Sequence, residues 1–105
     1  TYVAELRDHA VREYQLSTQG LGVKPRNLEE IKVSGPEDAV SMFLGSLSGE
    51  HLPGKAAVLL NAGASLYVLD IAATLADGVS LASSVIDSGR ARDKLNEFIA
   101  FTQRE

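Results

Sequence analysis

Apolar residues alternate with polar ones near the start of the chain and recur at helical spacing through most of the rest. Residues 2–6 set Tyr2, Ala4 and Leu6 against Val3 and Glu5, and residues 11–16 alternate less cleanly, so two short strands are expected. Arg7, Asp8, His9 and Ala10 link them, which makes residues 2–16 a β-hairpin. Asp and His tolerate turn geometry, although no Gly stands where a tight primed turn favours one. Residues 17–33 carry Gly20, Gly22, Pro25 and Asn27 without clear periodicity and read as a connector, with one short turn over residues 27–31.

From residue 34 to residue 103 the pattern is helical. Ser34 followed by Pro36 and Glu37 reads as a capping box, with the Ser34 hydroxyl accepting from the backbone near Glu37. Val40, Phe43, Leu44 and Leu47 then form a stripe that Gly49 is placed to end in a left-handed conformation. Pro53 opens a second helix so apolar through Leu59, Leu60, Leu66 and Leu69 that it should be central and buried. Its small-residue middle, Asn61-Ala62-Gly63-Ala64-Ser65, allows a neighbouring backbone to come close, offsetting part of the ~1 kcal/mol that Gly costs a helix. Thr74 with Asp77 caps a third helix with a stripe of Leu75, Val79, Ala82, Val85 and Ile86, ended by Gly89. Ser88 is expected to cap a fourth, in which Ala91, Leu95, Phe98 and Ile99 share a face.

Composition narrows the class. With 105 residues, 45% hydrophobic and 23% charged, the chain has the balance of one globular domain or part of one, not of a disordered tail. Ten Lys+Arg against fourteen Asp+Glu give a net charge of -4, and the basic residues are scattered, so neither a nucleic acid nor an anionic membrane is an expected partner. The longest uncharged stretch, residues 56–69, is interrupted by Asn61 and Ser65 and falls short of the ~20 apolar residues of a bilayer span. Cysteine is absent, which excludes disulfides and thiolate chemistry and leaves the cytoplasm as the expected compartment. The first residues carry no leader pattern and no initiating Met, so the chain reads as part of a longer protein.

Candidate chemistry is sparse. His9 and His51 have no Ser or carboxylate at triad or metal spacing and read as solvated loop histidines. Glu29-Glu30 and Glu37-Asp38 are adjacent acidic pairs, but neighbouring side chains diverge on a helix, which disfavours magnesium binding. Asn61, a polar amide on an apolar helix, is expected to tie that helix to a loop carbonyl rather than to touch a ligand. Arg90, Arg92 and Lys94 lie near a helix start, where a phosphate is attracted, and are read as a solvated face. Gly20-Leu21-Gly22 is too brief for a dinucleotide fingerprint.

The run Leu59-Leu60-Asn61-Ala62-Gly63-Ala64-Ser65-Leu66-Tyr67-Val68 resembles the Asn-Ala-small-Ala-x-Leu-Tyr helix of the anthranilate phosphoribosyltransferase family. Thr74-Leu75-Ala76-Asp77-Gly78-Val79 and Ile86-Asp87-Ser88-Gly89-Arg90-Ala91, with Lys94-Leu95, look like that family's ending. Val3-Ala4-Glu5-Leu6 and Val11-Arg12-Glu13-Tyr14 look like its hairpin, with Asp8-His9 in place of the common Asp-Gly, and Gly20-Leu21-Gly22 like its Phe-Gly-Leu segment. The resemblance runs over the whole chain, which corresponds to roughly the last third of such an enzyme.

The resemblance implies an α/β parent fold of the nucleoside phosphorylase / phosphoribosyltransferase type, in which residues 1–105 are the C-terminal part of the large domain: mostly α, a hairpin followed by four helices. It implies transfer of phosphoribosyl from phosphoribosyl pyrophosphate to anthranilate, with Mg2+, by a homodimer active in tryptophan biosynthesis. The family's pyrophosphate loop, its Lys-His-Gly-Asn-Arg segment, its anthranilate-contacting Arg and its metal-binding Asp-Glu pair all belong before Thr1. No catalytic, cofactor-binding or metal-ligating residue is therefore assigned here, and Val40, Phe43, the 59–69 face and Ile99 are expected to cover the remainder of the parent chain. The alternatives are a segment of a related phosphoribosyltransferase or nucleoside phosphorylase, and an autonomous helical module that binds a partner helix in an apolar groove.

Overall fold

Two strands, β1 (Tyr2–Arg7) and β2 (Ala10–Gln15), pair antiparallel from Tyr2↔Gln15 to Arg7↔Ala10. The two-residue loop is Asp8 and His9, with φ of 52° and 64°, so the hairpin closes in the primed geometry that matches strand twist without using Gly. Asp and His are among the few residues that enter this region readily, which is how the Asp8-His9 pair replaces the usual Asp-Gly. The computed structural model describes residues 1–24 and 27–104. In the connector, Asn27 Oδ1 accepts from the Glu29 backbone N–H at 3.0 Å and starts a 3-10 helix, Leu28–Ile31. Pro25 lies outside the described residues.

Four helices follow: α1 (Pro36–Ser48), α2 (Leu52–Val68), α3 (Leu75–Asp87) and α4 (Arg90–Thr102). The start of α1 corrects the expected capping box. Its N-cap is Gly35, and Ser34 donates through both its backbone N–H (3.0 Å) and its hydroxyl (3.4 Å) to Asp38 Oδ2. Pro36 in the first turn leaves Ser34 outside the helix, where the carboxylate four residues on is within reach. Gly49 ends α1 at φ 82°, as its position foretells.

Within this chain α1 packs by a face beside the Val40–Phe43 edge of its stripe, with Leu44 and Leu47 half-buried. Ser46 is buried and Ala39 and Met42 are half-buried, whereas Val40 and Phe43 are 58% and 50% exposed. Small residues decide this: a Cβ at Gly54 of α2 would collide with the Ser46 hydroxyl, so the two helices meet where neither carries bulk. Ser46 satisfies its buried hydroxyl by donating to the Met42 carbonyl at 2.7 Å.

Helix α2 is central, touching α1, α3 and the 3-10 helix, but it is not enveloped. Gly54, Leu59 and Gly63 are buried, Gly54 toward α1 and Gly63 toward α3, while Val68 is 74% exposed. Its closest neighbour is α3, which starts under the Thr74 cap, whose hydroxyl accepts from the Asp77 N–H at 3.0 Å. The two helices cross glycine on glycine: a Cβ at Gly63 would lie 2.7 Å from the Val79 backbone nitrogen, and one at Gly78 would strike the Gly63 carbonyl. This is the close approach expected of the small-residue middle. It brings Leu59 against Val79, Ala82 and Ile86 to form the core, with Val23, Leu66 and Ala91 packed around it.

The last helix departs from expectation at its start. Its N-cap is Gly89, at φ 82°, not Ser88; the Ser88 hydroxyl instead donates to the Val85 carbonyl at 2.8 Å and accepts from Arg90 Nε at 3.1 Å, fastening α3 to α4. Ala91 and Leu95 are half-buried, but Phe98 is 62% and Ile99 41% exposed. The chain is correspondingly spread out, with a radius of gyration of 15.5 Å against about 13 Å for a closed domain of this size. Among the described residues no helix is long and apolar enough to cross a membrane.

Candidate functional site

Ionisable side chains converge where the hairpin meets the C-terminal turn of α2. Strand alternation puts Val3 and Glu5 on the half-buried face of β1, and the register sets them opposite Tyr14 and Arg12 of β2. Tyr67, in the last turn of α2, points its hydroxyl at the same place. Glu5 Oε1 accepts from the Tyr14 hydroxyl at 2.9 Å and lies 3.5 Å from Arg12; Oε2 accepts from the Tyr67 hydroxyl at 2.7 Å and from Arg7 Nε at 3.2 Å. The Arg7 guanidinium also sits 4.8 Å from the centre of the Tyr67 ring and 3.5 Å from Asp70 Oδ1.

This arrangement holds a carboxylate rather than using one. The Tyr67 hydroxyl, then the Tyr14 hydroxyl and the charges of Arg12 and Arg7, favour the ionised form and place Glu5 below its ordinary value of 4.5. The same contacts raise Tyr14 and Tyr67 above 10.0, because a phenolate beside Glu5 is disfavoured. A general base needs a pKa brought up toward neutrality, whereas Glu5 is moved the other way and already accepts from Tyr14, Tyr67 and Arg7. Because its folded pKa is depressed, Glu5 contributes stability in full above about pH 4.5 and loses it as pH falls through the lower folded value. Acid unfolding should therefore show the difference between the wild type and Glu5→Gln shrinking below pH 4.5, measured by circular dichroism at fixed urea; a difference constant down to pH 3 contradicts the assignment.

The residues singled out in the sequence are not brought together. His9 is exposed at the hairpin tip, and His51 caps α2, its Nδ1 accepting from the Gly54 N–H at 3.0 Å, so it is a structural acceptor rather than a solvated loop histidine. Helix α2, about 25 Å long, separates His51 from the end where the hairpin sits. Glu29 pairs with Lys32 at 2.8 Å and Asp38 accepts from Ser34. Asn61 is exposed, and its amide donates to the Ala57 carbonyl at 2.8 Å in its own helix, correcting the expected tie to a loop. Arg90 bonds Ser88, and Lys94 pairs with Glu97 at 3.1 Å. Among the described residues no three His, Asp or Glu side chains group so as to hold a metal ion.

The sequence signal for the Glu5 cluster was partial. An acid on the inward face of a hairpin demands donors, and Tyr14 and Arg12 stand across the register from it. Tyr67 is 62 residues away, and nothing in local pattern announces that contact.

The sequence profile described as the glycosyl transferase family, a/b domain, matches residues 1–92. The chain belongs to the glycosyl transferase family. Within it, the chain is 41% identical over 104 residues to the anthranilate phosphoribosyltransferase of Delftia acidovorans (strain DSM 14801 / SPH-1), covering 99% of this chain and 30% of that protein. It is 42% identical over 105 residues to the protein of the same name from Neisseria gonorrhoeae (strain ATCC 700825 / FA 1090), with 99% and 31% covered. The protein of that name from Xylella fastidiosa (strain 9a5c) is 41% identical over 104 residues, with 99% and 30% covered. The chain thus spans about a third of the length of these relatives, and they are the proteins to which the hairpin and the residue 59–68 and 86–95 motifs point. The family's a/b architecture accommodates this mostly helical piece with its short antiparallel hairpin.

Proposed function

We propose that this chain is the C-terminal structural segment of an enzyme that transfers phosphoribosyl from phosphoribosyl pyrophosphate to anthranilate, forming the bond from ribose C1 to the amine as pyrophosphate leaves. The observation that carries the reading is the match of 99% of the chain at 41% identity to proteins bearing that name. The structure supports a covering role: the ionisable cluster is saturated by its own partners, and the exposed apolar positions Val40, Phe43, Phe98 and Phe101 form faces of the kind buried against other polypeptide. The parent's Mg2+ is proposed to be held by residues outside this chain, because the adjacent acidic pairs here, Glu29-Glu30 and Glu37-Asp38, diverge from one another. A cytoplasmic homodimer working in tryptophan biosynthesis completes the proposal.

The test is anthranilate fluorescence. The full-length protein, given phosphoribosyl pyrophosphate and magnesium, should extinguish it steadily, and residues 1–105 alone should leave it unchanged. Loss of signal with the short chain alone would overturn the structural role. A full-length protein that spares anthranilate but consumes another acceptor would overturn the substrate and keep the reaction class.

A further inference from the structure

Asp77-Gly78 is the one Asp-Gly step in the chain, and no Asn precedes a Gly. Aspartate followed by glycine is the dipeptide most open to attack of the backbone on the side chain, because glycine has no Cβ to shield its nitrogen or restrict its backbone. The step falls at an unusual place. Asp77 is exposed in the first turn of α3, while Gly78 is buried against α2. A Cβ at Gly78 would strike the Gly63 carbonyl, so the crossing that forms the core requires glycine there. Alanine, which would slow the chemistry, is the residue that packing rejects.

Three features of the fold hold the reacting atoms apart. Asp77 lies in a helix, where ψ stays near ~−42°, whereas ring closure needs that bond turned until the Gly78 nitrogen faces the Asp77 Cγ. The Gly78 N–H donates to the Thr74 carbonyl at 3.0 Å. The Asp77 N–H donates to the Thr74 hydroxyl, also at 3.0 Å, and so fixes the turn from the other side. Every group named belongs to α2, to α3 or to the cap residue of α3, so the lock is made within this chain.

We propose that Asp77-Gly78 is a site of spontaneous isoaspartate formation, kept shut in the native protein by the Thr74 cap and the α2–α3 crossing. When the first turn of α3 opens, the Gly78 nitrogen attacks the Asp77 Cγ and the N–Cγ bond forms. The Gly78 N–H proton, one carboxyl oxygen and a second proton, from the carboxyl or from solvent, leave as water, and a five-membered cyclic imide remains. Water then adds back. Cleavage of the N–Cγ bond restores aspartate; cleavage of the bond from the nitrogen to the Asp77 carbonyl carbon routes the chain through Cγ and leaves isoaspartate. One water leaves and one returns, so no other reactant is needed. The isoaspartyl backbone is longer by one methylene between the cap and Gly78, which moves Gly78 out of register with Gly63 and prevents the crossing from closing. The inference does not depend on which acceptor the parent enzyme uses.

Incubation of the full-length protein in heavy-oxygen water tests it, because each ring that reopens leaves one heavy oxygen at residue 77, read by mass spectrometry of the peptide that spans it. In concentrated urea this peptide should gain label, and in native buffer it should do so at least about tenfold more slowly, since the ring forms only from the opened turn. Thr74→Ala removes the cap and should raise the native rate about fivefold while leaving the urea rate unchanged. Asp77→Glu keeps the charge in the first turn but cannot close a five-membered ring, and should gain no label at this position in either state. After long storage in native buffer, isoaspartate at residue 77 should be confined to the fraction that a protease digests quickly. Equal labelling in native buffer and in urea overturns the proposal, as does a Thr74→Ala protein labelled at the wild-type rate. Isoaspartate found equally in the protease-resistant fraction would show that the crossing tolerates the longer backbone, and the proposed lock would fall with it.

Discussion

Gly78→Ala is expected to lower folding stability by about 3 kcal/mol, at the upper end of the range for overpacked cores. Alanine is the better helix former by ~1 kcal/mol, so propensity alone predicts a gain. The added methyl decides the sign. It would be driven into the Gly63 carbonyl and stand 3.0 Å from that residue's carbonyl carbon, and the obstruction is backbone, which cannot rotate aside as a side chain does. The helices must separate, and the contacts of Leu59 with Val79, Ala82 and Ile86 weaken together. Gly63→Ala acts on the same crossing from the other side, meeting Val79 Cγ2 and the Val79 nitrogen at 2.7 Å, so the double variant should cost less than the sum. Gly20→Ala provides the contrast: nothing lies within 4 Å, and its expected cost of about 1–2 kcal/mol comes from φ of 81° alone. Urea midpoints of the three variants in the full-length protein check this ranking; a Gly78→Ala protein as stable as the wild type removes the crossing as the determinant of the fold.

That crossing was half legible. The small residues of the 61–65 run announce that something comes close, because glycine inside a helix is otherwise a cost, but they do not say what. Gly78 lies in the next helix with a cap residue, Thr74, as its only conspicuous neighbour in sequence, and the pairing of the two glycines belongs to tertiary packing. Helix ends were more transparent. The Thr74 hydroxyl, the Gly49 backbone and the Asp8-His9 turn each act within a few residues of chain, so local chemistry suffices. Ser34 misled because a hydroxyl donates as readily as it accepts, and it found Asp38 Oδ2 in place of the helix N–H expected; Ser88 does accept from the Arg90 N–H, at 3.4 Å, but donates to the Val85 carbonyl from one residue before the N-cap. Asn61 misled for a related reason: an amide on a helix has the carbonyl one turn back within reach at no cost in tertiary structure. The Glu5 cluster lay beyond local pattern, since its deciding donor comes from another element.

The stripe of α1 and the face of α4 carry a different lesson, and a prediction. Periodicity marks which side of a helix is covered without naming what covers it, and here Val40, Phe43, Phe98 and Phe101 are at least half exposed in the folded chain. Helices α1 and α4 touch each other, so these residues lie on neighbouring elements rather than scattered singly over the surface. Each such side chain is worth about 1.5–3 kcal/mol when fully removed from water, and several together offset the cost of association. Residues 1–105 produced alone should therefore self-associate at tens of micromolar on the scale of such affinities, with a mass that climbs with concentration in light scattering. Replacing Phe43 and Phe98 by serine should bring the mass down toward the monomer while leaving the helical circular dichroism signal in place, because neither residue is in the Leu59 core. In the full-length protein the same pair should act in the opposite sense and destabilise, since there the faces are proposed to be covered. A short chain that stays monomeric and melts in one sharp transition would mean that these faces need no partner, and the covering role assigned to this segment would fail with them.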